Sequence, residues 1–284
     1  MVIRPPSEAY SYILQVTYGC SHNACTFCAT YKGTRHQKRP LPEIYEDIEM
    51  AAKALPHTTR VFLADGDAMG RDTAELLEIL SRLDLAFPNL ERVGLYANTK
   101  NLLAKTPEEL QELNRAGLGI FYLGLESGDD EVLKRVKKGA TADQMVEAVL
   151  KGRTAGMEAS VIVLLGLGGK EGSRRHAELS AKVVSRMQPE YVSALMLMVI
   201  PGTSLFRSME KGEFVLPGSS EMLKELRVLV DGIDVPASIF RSNHASNYLP
   251  LRGVLSRDRE PILRAIDGAL ANPEMLRPEF MRGL

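Results

Sequence analysis

Six short runs of nearly unbroken apolar character alternate along this chain with longer stretches whose apolar residues recur at helical spacing. The runs lie at residues 12–17, 60–64, 92–97, 119–125, 159–165 and 191–200, the last ended by Pro201 and Gly202. Brief, continuous apolarity marks parallel strands covered by helices on both faces. The stretches between them carry helix punctuation. Residues 42–55 open with Pro42 and acidic side chains, a favourable helix start. Asp72 or Thr73 can cap a helix running to Leu83, with Glu75 in its first turn, where a carboxylate meets the positive end of the helix dipole. Thr106, Pro107, Glu108 and Glu109 begin another that stops at Gly117. Residues 129–137, 141–155, 173–187 and 203–211 complete the helical set.

A βα unit repeated six times predicts a parallel sheet with right-handed crossovers. Eight units close a full TIM barrel, so six predict an α/β fold, a partial (β/α)6 TIM-type barrel over residues 1–212. Beyond Pro217 the rhythm changes to a helix at 219–230, a strand at 237–241, a polar loop at 242–252 and a last helix at 259–270. Residues 213–284 are therefore expected to form a C-terminal α/β extension that closes the barrel rather than an independent domain.

Composition narrows the partners. The 284 residues are 45% apolar and 25% charged with a formal net charge of -1, which supplies no electrostatic attraction for nucleic acid. The longest apolar stretch is too short to span a bilayer. The N-terminus has no apolar core of a secretory signal. A cytoplasmic location with no membrane partner is the expectation.

The candidate chemistry lies in the cysteines. There are three, at Cys20, Cys25 and Cys28, an odd and tightly clustered set that argues against a disulfide framework. The C-x4-C-x2-C spacing follows the first strand. Four thiolates would close an iron–sulfur cube for electron transfer. Three leave one iron open, by the logic that separates catalytic from structural zinc. A ferredoxin with this spacing needs a fourth cysteine, which is missing. A zinc site using Cys20, His22, Cys25 and Cys28 is the alternative, within a zinc- or cluster-bearing binding protein without catalysis, but it would leave the barrel unexplained.

The pattern resembles the radical S-adenosylmethionine (SAM) superfamily, whose usual spacing is C-x3-C-x2-C with an aromatic before the last cysteine, here Phe27. One extra residue between Cys20 and Cys25 departs from the commonest form. The resemblance covers residues 11–212. It implies a [4Fe-4S] cluster on the three thiolates, SAM bound at its open iron, a flavodoxin- or ferredoxin-type electron donor, and a 5′-deoxyadenosyl radical that abstracts hydrogen from the substrate. Ala64, Asp65, Gly66 and Asp67 hold the place of the superfamily's Gly-rich turn at the SAM amino group. Tyr96 and Asn98 resemble SAM-contacting positions. The run from Gly124 through Glu126 and Ser127 to Lys138 and Gly139 is similar to the signature of the anaerobic coproporphyrinogen oxidase and elongator-type branch. It offers Glu126 or Ser127 to the ribose or methionine moiety. Arg153 corresponds to an arginine set against the SAM carboxylate, and Leu165 and Gly166 to the adenine-side turn.

Local readings stand beside these. Ser127 and Asp129 suit a helix cap. Lys134, Arg135, Lys137 and Lys138 read as a solvated helix face, and His36, Lys38 and Arg39 as a solvated stretch. Met196 and Met198 read as core. In the polar loop, His244 and Tyr248 are able proton donors and join Glu126 as catalytic candidates. The substrate is expected to be a small molecule, with a tetrapyrrole or RNA as other classes. The lack of further cysteines and of a preceding domain argues against auxiliary clusters and cobalamin.

Overall fold

Every one of the six apolar runs becomes a strand in the computed structural model, which describes residues 2–283. In chain order the elements begin β1 (Tyr12–Gln15), β2 (Thr17–Tyr18), β3 (Gln37–Lys38), α1 (Leu41–Ala54), β4 (Arg60–Ala64), α2 (Thr73–Ala86) and β5 (Arg92–Tyr96). They continue with α3 (Thr99–Ala104), α4 (Pro107–Arg115), β6 (Leu118–Glu126), α5 (Asp130–Arg135), α6 (Ala142–Thr154), β7 (Glu158–Leu165) and α7 (Gly169–Met187). The last are β8 (Tyr191–Met196), α8 (Ser204–Glu210), α9 (Ser219–Gly232), β9 (Ile239–Arg241), β10 (Arg252–Val254) and α10 (Leu255–Ala271). Eight strands form one mostly parallel sheet in the order β1-β4-β5-β6-β7-β8-β9-β10, and β2 and β3 form a separate antiparallel pair. Only the β9–β10 edge of the large sheet is antiparallel among the pairings described.

The chain divides into two compact units. The first takes residues up to Asn23, Thr30–Leu123 and Ala148–Ala159. Its core is the apolar run of β4 and β5 under Ile44 and Ile48 of α1 and Leu76, Ile79, Leu80 and Leu83 of α2, all essentially without solvent contact. Those helical positions fall three and four residues apart, so one stripe of each helix meets the sheet. A capping box at Thr106 and Glu109 starts α4. Glu8 is wholly buried and accepts from Arg92 at 2.8 Å and from the hydroxyls of Tyr122 and Ser11, as a buried carboxylate must.

The second unit takes Ala24–Ala29, Gly124–Glu147 and the chain from Ser160 onward. Val161, Val163 and Leu165 of β7 and Val192, Ala194 and Met196 of β8 are buried, as are Ala177, Ala181 and Val184 of α7 and Leu223, Leu226 and Val230 of α9. β9 pairs parallel to β8, with Tyr191 opposite Ile239, so residues 237–241 supply a sheet strand as expected.

Besides the β2–β3 pair, which no apolar run announced, four elements differ from the sequence expectation. The helix α3 was not foreseen; it is a single short turn started by Asn98, whose side chain accepts from the Asn101 N–H at 2.9 Å. The helix α7 begins at Gly169 rather than at residue 173. The strand β10 is too short and polar to read as one, and exists through its pairing with β9. The helix α10 starts at Leu255 rather than at residue 259, where the Asp258 carboxylate accepts from the Val254 N–H at 2.8 Å.

The start of α5 packs closely on α7. The Gly128 N–H donates to Ser180 Oγ at 2.9 Å, and a Cβ built on Gly128 would lie 2.4 Å from the Leu179 carbonyl oxygen. Backbone cannot move aside as a side-chain tip can. Gly128→Ala is therefore expected to lower stability by about 1–3 kcal/mol, measured as a fall in the denaturant midpoint with an unchanged slope.

Candidate functional site

The loop that carries the cysteines is fixed at its neck. In the first unit β2 and β3 pair Thr17 with Lys38 and Tyr18 with Gln37, which closes residues 19–36 into a loop. Beneath this neck lies Arg71, only 2% exposed. Its guanidinium donates to the carbonyl oxygens of Val16 at 2.6 Å and Arg39 at 2.9 Å, one on each side of the loop. Arg39 itself pairs with Asp47 and Glu43, and Lys38 with Asp72 and Glu75. The expected solvated stretch is thus a set of ion pairs holding the loop, and no apolar pattern could announce that. Gly19 takes a left-handed φ of +76° directly before Cys20, a conformation that glycine adopts without steric cost.

None of the three cysteines is joined in a disulfide, and each is half-buried. Cys20 belongs to the first unit, and Cys25 and Cys28 to the second. In the second unit the segment with Cys25 and Cys28 is held by backbone bonds, Thr26 N–H to the Val136 carbonyl and Leu205 N–H to the Thr26 carbonyl, both 3.0 Å. Phe27 packs against the apolar cluster of Val132, Val136, Leu167, Leu197, Leu205 and Phe214. It anchors the segment by its ring.

The turn after β4 faces Cys20. Asp65 accepts from the Tyr31 hydroxyl at 2.9 Å, from Gln15 at 3.1 Å and from the Gly19 N–H at 3.3 Å. Its own N–H donates to Thr17 Oγ1 at 3.1 Å. Burial and the neighbouring Asp65 push the Tyr31 hydroxyl well above its ordinary value, so it stays a donor. A Cβ on Gly66 would lie 3.0 Å from Cys20 Cβ and 2.5 Å from the Tyr31 ring. Glycine is thus required where the turn passes the first thiol. Ala64 is buried at the end of β4.

Asp67 is wholly buried and accepts from Ser21, from Asn98 Nδ2 at 2.8 Å and from Asn101 Nδ2. Burial raises its carboxyl above the ordinary value, against the pull of these hydrogen bonds. Ser21 is the residue after Cys20, so Asp67 ties the cysteine loop to the end of β5. Tyr96 stacks edge-on with Phe62 at 5.0 Å and with Tyr122 at 6.1 Å. Arg153, half-buried on the last turn of α6, also lies in this unit.

In the second unit two turns are joined through one buried pair. Glu126 ends β6 with a left-handed φ of +63°, a conformation costing a non-glycine residue about 1–2 kcal/mol. Its carboxylate accepts from Lys138 at 3.0 Å, and its backbone carbonyl accepts from His176 Nε2 at 3.2 Å. The Nδ1 of His176 lies 2.8 Å from Glu225 Oε1, which also accepts from the Gly166 N–H at 2.8 Å. Ser127 is buried, and its hydroxyl accepts from the Asp129 N–H at 3.0 Å. Asp129 accepts from the Glu131 N–H at 3.0 Å and caps α5, as the local reading holds. Leu165 is buried and Gly166 takes φ +86°. The basic run 134–138 is not simply solvated. Arg135 donates to the carbonyls of Leu167 and Gly168 at 3.0 Å, and Lys138 meets Glu126. Met196 is buried, as read.

The polar loop follows the C-terminal end of β9. The Nδ1 of His244 accepts from the Ser246 N–H at 3.1 Å, which leaves the ring proton on Nε2. Burial, and then the charge of Arg277, hold the imidazole below its ordinary value, so it is neutral at pH 7. The Tyr248 hydroxyl donates to Glu279 at 2.6 Å and accepts from Arg282 at 2.7 Å, with the Arg282 guanidinium 4.1 Å over its ring. Burial and Glu279 push that hydroxyl up to about 12. Arg282 also donates to the carbonyls of Ser246 and Leu197, and Arg277 to that of Ala245 at 2.8 Å. Sequence reasoning missed Tyr31, Arg71, Asn101, His176, Glu225, Arg277 and Arg282. For His176 and Glu225 a signal exists, since each breaks the apolar stripe of its helix.

Comparison with known proteins now identifies the family. Residues 14–178 match the radical SAM superfamily, and the chain belongs to it. Members of this superfamily use a [4Fe-4S] cluster and SAM. The chain is 24% identical over 222 residues to a probable threonylcarbamoyladenosine tRNA methylthiotransferase of Methanocaldococcus jannaschii, covering 75% of this chain and 51% of the relative. It is 21% identical over 225 residues to the heme chaperone HemW of Bacillus subtilis, covering 76% and 58%. The chain thus spans about half the length of these curated relatives. Among solved structures, methylornithine synthase superposes with a TM-score of 0.57 at 16% identity, covering 93% of this chain and 84% of the other. The coproporphyrinogen III oxidase of Escherichia coli gives a TM-score of 0.57 at 15% identity, covering 78% and 51%. Similarity of this order establishes the fold class expected from the six repeats, the α/β partial barrel of TIM type.

The donor set fits the cluster. Three cysteines outside any disulfide lie on a loop whose neck is pinned by Arg71, and beside the first of them only glycine fits. The family match gives no support to the zinc alternative. Gly66→Ala should weaken cluster retention roughly tenfold, the scale on which groups supporting metal ligands act. Iron and sulfide per chain, titrated against a chelator after anaerobic reconstitution, would report it.

Proposed function

We propose that this protein is a radical SAM enzyme acting on a small-molecule substrate. The observation that carries this reading is the set of three thiols with no fourth in the chain, beside a glycine turn at the C-terminal end of a parallel strand, the end where sites of parallel sheets lie. When bound and reduced, the cluster supplies the electron that cleaves SAM to methionine and a 5′-deoxyadenosyl radical, which takes hydrogen from the substrate. The protein's part is to bind, orient and exclude water.

In this reading Cys20, Cys25 and Cys28 hold the cluster. The backbone of Ala64, Asp65, Gly66 and Asp67 is offered to the SAM amino group, with Asn98 beside it, while the carboxylates of Asp65 and Asp67 set the turn. Tyr96 lines the same side. Arg153 offers the planar fork that suits a carboxylate. Glu126 and Ser127 serve the ribose or methionine moiety, and Leu165 and Gly166 the adenine. His244, with its proton on Nε2, is the group of the polar loop able to donate to substrate. Tyr248, engaged with Glu279 and Arg282, acts by holding that loop. Electrons come from a flavodoxin- or ferredoxin-type donor. The net charge of -1 favours a small molecule over RNA. No helix among the described residues is long and apolar enough to cross a membrane.

The test is an anaerobic assay for 5′-deoxyadenosine with a chemical reductant, run with and without candidate metabolites, tetrapyrroles and tRNA. Wild-type protein is expected to release 5′-deoxyadenosine, and Cys→Ala at position 20, 25 or 28 to abolish it. Release at the wild-type rate by any of these variants would remove the assignment.

A further inference from the structure

We propose that His176 and Glu225 form a buried positioning pair that sets the turns after β6 and β7 together and so governs how tightly SAM is held. This rests on the reading of those turns as SAM-facing. Both side chains have no exposed surface, and they sit on the buried faces of α7 and α9, where Ser180 is the other buried polar side chain of α7 and the rest of the α9 face is apolar. One contact joins them and three radiate from the pair. His176 Nε2 donates to the Glu126 carbonyl at 3.2 Å, since a carbonyl can only accept. His176 Nδ1 is in hydrogen-bond contact with Glu225 Oε1 at 2.8 Å. Glu225 accepts from the Gly166 N–H at 2.8 Å and from the Ser173 hydroxyl. The backbone groups held at the two ends belong to Glu126 and Gly166, both left-handed at φ +63° and +86°.

A purely structural origin fits poorly. Well-packed apolar residues serve stability as well as a buried polar pair does, or better. Here the pair is aimed at backbone at the C-terminal ends of two parallel strands, and the turn before α7 closes tightly on the stem of the imidazole: a Cβ on Gly168 would lie 2.8 Å from His176 Cβ. With the carbonyl of Glu126 fixed, its side chain is aimed at Lys138. Removing the imidazole frees that backbone while leaving the cysteines untouched. His176 and Glu225 are positioning residues, acting through the two turns.

The test uses the full chain, anaerobically reconstituted, with iron and sulfide content, thermal unfolding, SAM affinity by equilibrium dialysis, and the electron paramagnetic resonance spectrum of the reduced cluster with and without SAM. His176→Phe is expected to keep wild-type iron and sulfide but to bind SAM about tenfold more weakly, the scale of one lost buried hydrogen bond, and to blunt the SAM-induced spectral change. His176→Gln restores a donor near the Nε2 position and should recover most of the affinity. Should His176→Phe not fold, Glu225→Gln carries the comparison, with a few-fold loss expected. Wild-type SAM affinity in the folded variants, or failure of His176→Gln to exceed His176→Phe, overturns the proposal. A wild-type protein that holds the cluster and ignores SAM would instead overturn the functional reading beneath it.

Discussion

A loop that must present three thiols to a cofactor cannot bury them in the core that would otherwise fix its shape. The rest of the structure answers that constraint. The neck of the loop is closed by a two-residue antiparallel pairing, which is too short to be stable alone. Arg71 makes it hold, with one buried guanidinium donating to a carbonyl on each side. A planar group with several fixed donors can bridge two strands of backbone in a way a flexible ammonium cannot. Burying it is expensive, and it is repaid only because the carbonyls it meets would themselves lack partners.

The same solution recurs at the turns after β4, β6 and β7. In the first unit, Asp65 and Asp67 gather donors from the cysteine loop and from the end of β5. In the second, His176 and Glu225 gather backbone from the ends of β6 and β7. The sheet supplies rigid strands, and buried ionisable side chains at their C-terminal ends set the turns. Low local dielectric strengthens each such bond and penalises each one left unmade, so these turns have one arrangement rather than several.

Much of the fold was legible in the sequence because its strands are buried on both faces. Continuous apolarity cannot be mistaken for a solvated segment, and all six runs at 12–17 through 191–200 became strands. The cysteines were legible through their spacing. What escaped reading was whatever depends on a distant partner. Lys38 looked like part of a solvated stretch because Asp72 lies 34 residues away, and Arg39 because its partners Glu43 and Asp47 stand on a helix whose packing the local pattern does not give. Lys138 looked like part of a helix face although Glu126 is its partner. The strand β10 has no pattern of its own and exists by pairing with β9. His176 and Glu225 were visible in principle, since a charged residue within an apolar helical stripe demands a partner, but periodicity does not say which one.

The elements that would meet substrate are held differently from those assigned to the cofactor. The polar loop with His244 and Tyr248 is fixed by the C-terminal tail: Arg277 and Arg282 donate to the carbonyls of Ala245, Ser246 and Leu197, and Tyr248 pairs with Glu279. Arg282 is the firm one among these ties, buried and bonded to two carbonyls away from solvent, while the bonds from Arg277 to Ala245 and from Tyr248 to Glu279 lie at the surface. Exposed pairs contribute little and are readily exchanged for water, so the loop has one buried anchor with exchangeable contacts around it. A loop anchored at one point can vary elsewhere without loss of the fold, which suits a family that hosts many substrates on one frame.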